Sequence, residues 1–459
     1  MKKMKLLGGL ILILVTGVVH AQQRYELTVQ QAVDLAYKNV IEIKNAQIDY
    51  RIQAAKNKEI EGQALPQVSG TISANHYVKL PTILFPQSEE GIYSVLKREN
   101  LISQSTQAPP PTLAAFSFQQ PWNFAMGATL QQLLFQPDVF VGLQARKTSL
   151  DYYQSIVDQT KEKIKDSAYK RYYAILITQK QLFFLNQSLD TLQKLYHDDS
   201  LMFKNGFAER LDLDKVQVQI NNLKTTQSMV ASAVNLSYAA LKFALGLSQK
   251  DTVVLKDDLT VESLKEGVLD ESFSYENRAE IRTLNHLQDL QKLDIKRNKL
   301  GYLPTVAFAA NYSTNGMGKK FFTDNSTFWF KSAYVGLNVN VPIFTGFQRK
   351  YKIVESNLTL DKLNNTVDNV KQAIDLEQVA TKESLKTALG NLDLQERNLD
   401  LARRVYNATK LKFEEGIGSS FEVLQANTDY LTAQANYFNA LYNATVAKTS
   451  YQYSLGKLQ

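Results

Sequence analysis

The chain has no cysteine, which fits an exported compartment and leaves no first-cysteine lipid anchor. Its four histidines, His20, His76, His197 and His286, are scattered without metal-ligand spacing. No glycine-rich phosphate loop follows a strand, and there is no nucleophile elbow and no metal cluster. The expectation is therefore a protein that is not an enzyme and carries no cofactor. Beyond the amino terminus no segment approaches the roughly 20 consecutive apolar residues of a membrane helix. Entry into a membrane is then left to a β-barrel, because only helices and closed barrels satisfy their backbone groups in lipid. Charge is also scarce on balance: without three amino-terminal lysines, 49 basic residues face 45 acidic ones, too mild an excess for nucleic acid.

What is present begins with Lys2, Lys3 and Lys5, an apolar run from Leu6 to Val19, and Val19-His20-Ala21 with small residues at the two positions a signal peptidase reads. Residues 1–21 are expected to be a secretory signal peptide, and the mature chain to begin at Gln22.

The mature chain repeats itself. Phe203-Lys204-Asn205-Gly206-Phe207 is echoed 210 residues later by Phe413-Glu414-Glu415-Gly416-Ile417, and Leu245-Gly246 by Leu455-Gly456 at the same interval. Such fixed-period similarity marks an internal duplication. In the first copy Thr28-Val29-Gln30-Gln31 reads as a capping box opening a helix that runs to about Glu61, where Leu65-Pro66 ends it. Residues 68–78 alternate apolar and small polar side chains with the period of a half-buried strand. A Pro-rich loop of some 45 residues follows, then a strand over about Met126–Phe135. From Val139 to Phe203 the pattern is helical, about 97 Å at 1.5 Å per residue, and a shorter helix returns over about 212–246.

The second copy opens at Asn277-Arg278-Ala279-Glu280, read as another capping box. Leu303-Pro304 matches Leu65-Pro66, and Val306–Tyr312 and Ala333–Val341 alternate as strands. A 65-residue helical run then reaches Phe413. Within it Leu360, Leu363, Val367, Val370 and Ile374 are spaced by three and four, and Leu385, Ala388, Leu392, Leu399, Ala402 and Tyr406 keep the frame, with Gln378, Thr381 and Gln395 on the same seam. A sustained 3.5-residue period means supercoiled helices. The return helices are about half as long as the long ones, so a long helix is able to pair with two short ones stacked end to end. The first hairpin carries 29 more residues than the second, and these must project from one end.

The expected organisation is a signal peptide at 1–21; a first repeat at 22–246 with a β-hairpin at 66–136 and a helical hairpin at 139–246; a connector at 247–274; and a second repeat at 275–459 with a β-hairpin at 304–344 and a helical hairpin at 349–457. Four strands cannot close a barrel alone, so several chains must share one. The alternation equally suits a soluble sheet with one wet face. Aromatic residues favour the membrane: Phe116, Phe118, Trp122 and Phe124 before one strand, and Phe321, Phe322, Phe328, Trp329 and Phe330 before another, read as interfacial girdles. Glu209, Asp212 and Asp214 cluster after a turn, and paired carboxylates do acid–base work. Acids in a helix's first turn are ordinarily caps that complement its dipole. Ser419 with Glu422 at N3 reads the same way.

Leu27-Thr28 with Gln31-Ala32-Val33, Asn277-Arg278-Ala279-Glu280-Ile281, Leu303-Pro304, Val341-Pro342-Ile343-Phe344-Thr345-Gly346, both glycine tips and both Leu-Gly endings resemble, in order, the signatures of the TolC-type outer-membrane efflux and secretion proteins. The resemblance covers essentially the whole mature chain. It implies a mainly α protein with membrane β-structure: a homotrimer whose twelve strands close one barrel in the lipid of the outer membrane, with a helical tunnel across the periplasm. It also implies a periplasmic adaptor met by Gly206-Phe207 and Gly416-Ile417, and an inner-membrane transporter of RND, ABC or MFS type that supplies the energy. Finally it implies a periplasmic constriction near the tips, with Asp212 as a candidate acidic ring and Arg210, Glu422 and Gln425 beside it. This chain departs from the family's best-known pattern where an arginine and a second aspartate would stand: Gly418 and Gln425 occupy those positions. Arg210 or Lys204 would substitute only by facing the pore. The other class of function these residues allow is a structural coiled-coil or adhesin-like surface protein without transport.

Overall fold

The computed structural model describes residues 23–259, 261–265, 272–321 and 327–458. The expected signal peptide at 1–21 and the girdle residue Phe322 lie outside the described residues. In chain order the first repeat contains β1 (Arg24–Leu27), α1 (Val29–Asn39), α2 (Ile41–Gln63), β2 (Gln67–His76), β3 (Ile83–Gln87), α3 (Glu90–Arg98), β4 (Thr112–Phe116), β5 (Trp122–Phe135), α4 (Pro137–Lys204) and α5 (Arg210–Ala244). The connector holds β6 (Thr252–Leu255) and α6 (Val261–Lys265). The second repeat contains α7 (Ala279–Leu300), β7 (Thr305–Gly318), β8 (Phe328–Asn340), α8 (Gln348–Glu414) and α9 (Ser420–Ser454). The duplication is legible in the helix lengths, 68 and 67 residues for α4 and α8 and 35 each for α5 and α9. Two compact units cut across the repeats, so that each repeat contributes to both: Met1–Ile52, Leu150–Gln288 and Lys362–Gln459 form one, Gln53–Ser149 and Asp289–Asp361 the other.

The first unit is helical. Thr28 caps α1 as expected, its hydroxyl accepting from the Gln31 N–H while the Gln31 side chain accepts from the Thr28 N–H. The helix expected to run unbroken to Glu61 instead breaks at Val40, which is extended (φ −63°, ψ 129°). The reason is the returning helix: Gly246, just past α5, packs on the backbone of Asn39, so α1 must end there. The second repeat does the same at the matching place, where Gly456 packs on Asn277. Asn277 consequently lies in a single 3-10 turn, Tyr275–Asn277, and α7 begins at Ala279. The expected capping box from Asn277 to Glu280 is replaced by an ion cluster. Buried Arg278 donates to Glu280 (3.2 Å), to Glu377 (2.9 Å) and to the Ser454 carbonyl (2.8 Å).

The seam of α8 is buried as its period requires. Val367, Ile374, Leu385, Leu392 and Tyr406 are all buried, and Thr381 is held by the Ser454 hydroxyl (3.0 Å). Around α4, Tyr172 and Ile175 pack with Val33 and Ile43 on one side and Leu241 and Leu245 on the other. A long helix is thus shared by two short ones meeting end to end at Asn39 and Gly246. The described residues of the connector are more ordered than its mixed composition suggests. β6 pairs in parallel with β1, Tyr25 opposite Val253, and Leu259 and Leu264 pack with Ile177 of α4, Leu392 of α8 and Phe438 of α9. That packing ties the two repeats together.

The second unit is built on an antiparallel sheet of order β2-β5-β7-β8. Register sorts the faces: Val68 lies opposite Leu130, Leu130 opposite Ala310, and Ala310 opposite Val335, while Thr129 lies opposite Asn311 and Asn311 opposite Tyr334. One face is therefore apolar across all four strands and the other mostly small and polar. The loop expected between the first two strands is folded: β3 and β4 form a hairpin, Phe85 opposite Ala114, with α3 between them. The strands also start earlier than expected. Trp122 and Phe124 lie within β5, and Phe328, Trp329 and Phe330 within β8, rather than in preceding loops.

Candidate functional site

Among the described residues most of the apolar face of the sheet is uncovered, Phe124 being buried beneath neighbouring aromatics. Val68, Ile72, Met126, Tyr312, Val335 and Leu337 are all exposed, Ile72 at 82% and Val335 at 74%. A soluble sheet buries this face; here these six side chains are turned to the surroundings, as those of a sheet facing lipid are. Among the described residues no helix is long and apolar enough to cross a membrane. The polar face carries matched small groups, with Asn311 donating to the Thr129 hydroxyl (2.9 Å) and Ser313 paired with Ser332 (2.8 Å).

At the end of the sheet where β2 finishes and β5 begins, four of the expected girdle residues form one layer, whereas Phe116 and Phe118 lie in the insertion against Phe85. Trp122 stacks on Phe124 (6.1 Å), Phe124 on Trp329 (6.1 Å), and Phe321 stands edge-on to Trp122 (4.7 Å). Gly316, opposite Trp329, leaves room for the indole: a Cβ there would lie 2.9 Å from its ring. Phe328 stacks on Phe330 instead (5.9 Å); opposite Met317 and Asn315, both lie on the polar face of the sheet, so the aromatics expected together before β8 divide between the two faces. A second aromatic layer at the opposite end of the sheet, Phe135 with Phe140 (5.7 Å) and Phe344 with Phe347 (5.5 Å), was not expected. Its signal was present in the spacing, since Phe135 and Phe344 occupy matching places in the repeats.

In the first unit, both long helices end in the same way. The Gly206 N–H donates to the Phe203 carbonyl (3.0 Å) and the Phe207 N–H to Met202 (2.9 Å); Gly416 and Ile417 repeat this with Phe413 and Lys412 (3.0 Å each). These are Schellman endings, and they require the left-handed φ values of +80° and +76° that glycine adopts without steric cost. In that motif the apolar residue after the glycine ordinarily packs back on the helix, as Leu247 does after Gly246. Phe207 and Ile417 do not: they are 84% and 77% exposed. Local packing of the turn, the plainer explanation of these two side chains, is not what the geometry provides.

The charged residues at the tips are mostly engaged locally. Arg210 pairs with Asp214 (3.1 Å) and Asp212 with Lys215 (3.5 Å), while Lys215 also lies over the Phe421 ring (5.0 Å). Glu209 stands at the N-cap of α5 but its side chain makes no capping bond, against the expectation for that cluster. Ser419 does cap α9, accepting from the Glu422 N–H (3.2 Å), and Gln425 donates to Asp429 (3.0 Å). Asp212 and Asp214 are thus paired within their own helix, Glu209 is not a cap, and among the described residues no group of three His, Cys, Asp or Glu side chains gathers to hold a metal ion.

One tip residue escaped sequence reasoning. Asp199 is fully buried, bonded through one oxygen to the Ser420 hydroxyl, and its other oxygen has no partner. Burial, with Asp212 and Asp198 nearby, holds its carboxyl above the usual range against the Ser420 bond. The signal was its spacing: Leu185, Leu189, Leu192, Tyr196 and Asp199 follow each other by four, three, four and three, which puts the aspartate on the core stripe of α4.

A family model described as outer membrane efflux protein matches residues 274–457. Outer membrane protein TolC of Vibrio cholerae is 19% identical over 337 residues, 72% of this chain and 76% of that protein. Alkaline protease secretion protein AprF of Pseudomonas aeruginosa is 18% identical over 293 residues, 63% of this chain and 59% of that protein. Among solved structures, a crystal structure of CusC superposes with a TM-score of 0.71 at 14% identity, covering 94% of this chain and 92% of that one. The Campylobacter jejuni CmeC outer membrane channel does so with a TM-score of 0.70 at 15% identity, covering 94% and 86%.

Proposed function

We propose, for a chain that belongs to the TolC-type family of outer-membrane efflux and secretion channels, that three copies close one barrel and that the two helical tips receive a periplasmic adaptor. The protein is an outer-membrane exit duct for efflux or secretion. The observation that carries the assembly is the open apolar face of a sheet whose edge strands are β2 and β8. In lipid such an edge leaves its N–H and C=O groups without partners, at several kcal/mol each. Because neighbouring strands alternate in direction, β8 of one protomer and β2 of the next run antiparallel and supply each other's missing ladder. Four strands per chain taken three times give twelve, an even count such as outer-membrane barrels use.

Mostly small, polar side chains then line the bore, a surface suited to passive conduction. A passive duct takes its driving force from elsewhere, and an inner-membrane transporter of RND, ABC or MFS type, joined through the adaptor, is the source we infer. Exposed Phe207 and Ile417 support adaptor contact at the tips. Asp212, with Arg210, Glu422 and Gln425 nearby, is the candidate constriction, and the aromatic layer of Trp122, Phe124 and Trp329 is the candidate outer interface, while Phe328, expected there too, lies on the polar face. The repeats are taken as 22–246 and 275–459, joined by the 247–274 connector. Outer-membrane fractions run unheated and heated on denaturing gels are expected to show a heat-modifiable trimer, and pull-down of the channel to bring down adaptor and transporter. A channel that remains a folded monomer overturns the assembly. An epitope inserted at Ala108 is expected to be accessible on intact cells, and shielding there would reverse the orientation.

A further inference from the structure

We propose that the folded insertion between β2 and β5 is a self-association surface, and that its copies pack on one another to form an apolar cap over the outer mouth of the barrel. The inference rests on the shared-barrel reading above. It starts from position: β2 is an edge strand, so the insertion rises at the seam where the next copy joins. Its neck is closed by the Tyr77 N–H donating to the Pro121 carbonyl (2.8 Å), one step past the paired His76 and Trp122 of the aromatic layer. The insertion therefore stands beyond the belt that marks the lipid boundary.

An isolated two-stranded hairpin is marginal in water, yet this one leaves its apolar side chains uncovered. Ile83 lies opposite Phe116, and Phe85 stands edge-on to Phe116 (6.2 Å) and to Phe118 (6.1 Å), all exposed. On α3, Ile92 and Val95 are exposed as well. Exposed apolar side chains clustered like those of Ile83, Phe85, Phe116 and Phe118 mark an interaction surface. Charge selects the occupant: between Tyr77 and Pro121 the three basic residues Lys79, Lys97 and Arg98 are matched by Glu89, Glu90 and Glu99. With no net charge, copies brought together by the barrel do not repel, and nothing in the segment favours the phosphate groups of an anionic lipid surface. The partner this surface fits is a second copy of itself.

The chain has no cysteine, so single thiols report cleanly. Ile92→Cys and Phe116→Cys, each oxidised on intact cells, are expected to give disulfide-linked dimers of the chain within the trimer. A separate thiol at Thr71→Cys, on the polar face of β2, is expected to be protected from a bulky maleimide added outside, and to lose that protection when residues 81–118 are replaced by a short Gly-Ser turn. If the shortened chain does not assemble, Ile92→Asp with Phe116→Asp in the full-length chain serves the same readout. Heat-modifiable trimer is checked in every variant. Trimers that form but give no hairpin cross-link, or a Thr71→Cys thiol labelled equally with and without the cap residues, overturn the cap. Absence of a trimer in the unsubstituted protein instead overturns the shared barrel, and the cap with it.

Discussion

Gly456 lies so close to Asn277 that a Cβ on the glycine would stand 2.7 Å from the asparagine carbonyl oxygen, and Gly246 stands in the same relation to Asn39, 2.8 Å from its carbonyl carbon. Each pair joins the end of a return helix to the break between two short segments. The two joints are the same joint made twice, since Asn39 and Asn277 stand in matching positions relative to Leu65-Pro66 and Leu303-Pro304. They differ in one neighbour: Val40 is buried where Arg278 is buried in the second repeat, and only the latter is tied by carboxylates.

Gly456→Ala is therefore expected to be more damaging than Gly416→Ala. Both glycines have positive φ, +68° and +76°, which costs a side chain about 1–2 kcal/mol. Only Gly456 also meets backbone, whereas nothing lies within 4 Å of a Cβ at Gly416. Thermal unfolding of the purified variants should rank them in that order; equal losses would mean that the close approach at Asn277 does not constrain the chain.

On the sheet, Leu337→Arg is expected to impair insertion while Asn338→Arg is tolerated. Leu337 is on the apolar face, opposite Phe308, and Asn338 is on the other, opposite Ala307. A charge on the lipid side near midplane costs ~2–4 kcal/mol. Quantifying each variant in outer-membrane fractions checks the assignment, and similar yields would reverse it.

At the tips, Ile417→Asp and Gly416→Trp are expected to abolish export and adaptor cross-linking while heat-modifiable trimer persists. Ile417 is mostly exposed and contributes little to the fold, so loss of export with assembly intact would separate contact from stability. Unchanged export in both variants would reduce these residues to helix endings. Asp212→Ala is expected to lower cation preference in single-channel recordings.

The buried carboxyl of Asp199 makes the tip pH-dependent. Its pKa is raised by burial, so the ionised form is the one the fold disfavours. The packing of the tip around Asp199 should be firmest below the ordinary carboxylate range near 3.9 and loosen as pH rises through the raised value, the Ser420 bond offsetting only part of the burial penalty, which remains complete above it. The protection factors of amides at the end of α4 and the start of α9, corrected for the intrinsic pH dependence of exchange, are expected to fall as pH rises through the raised value and to lose that fall in Asp199→Asn. A fall that survives the substitution would assign the effect to another group.

The duplication, the length of the helices and the glycine turns were determined by the sequence alone, because each rests on local rules: a 3.5-residue period, a proline stop, a residue free to take positive φ. The alternation that separates Leu337 from Asn338 was equally legible, since a strand's side chains change face at every residue. What tertiary structure decided was whatever depends on a distant neighbour. The break at Val40 follows from Gly246, and the loss of the box at Asn277 from Gly456. The folding of β6 follows from β1, more than 200 residues away. The burial of Asp199 follows from Ser420 on a different helical hairpin. Exposure of Phe207 and Ile417 was also beyond local rules, because the same Gly-apolar pair packs inward at Leu247. Only the presence or absence of a neighbour distinguishes a helix ending from a surface left free for a partner.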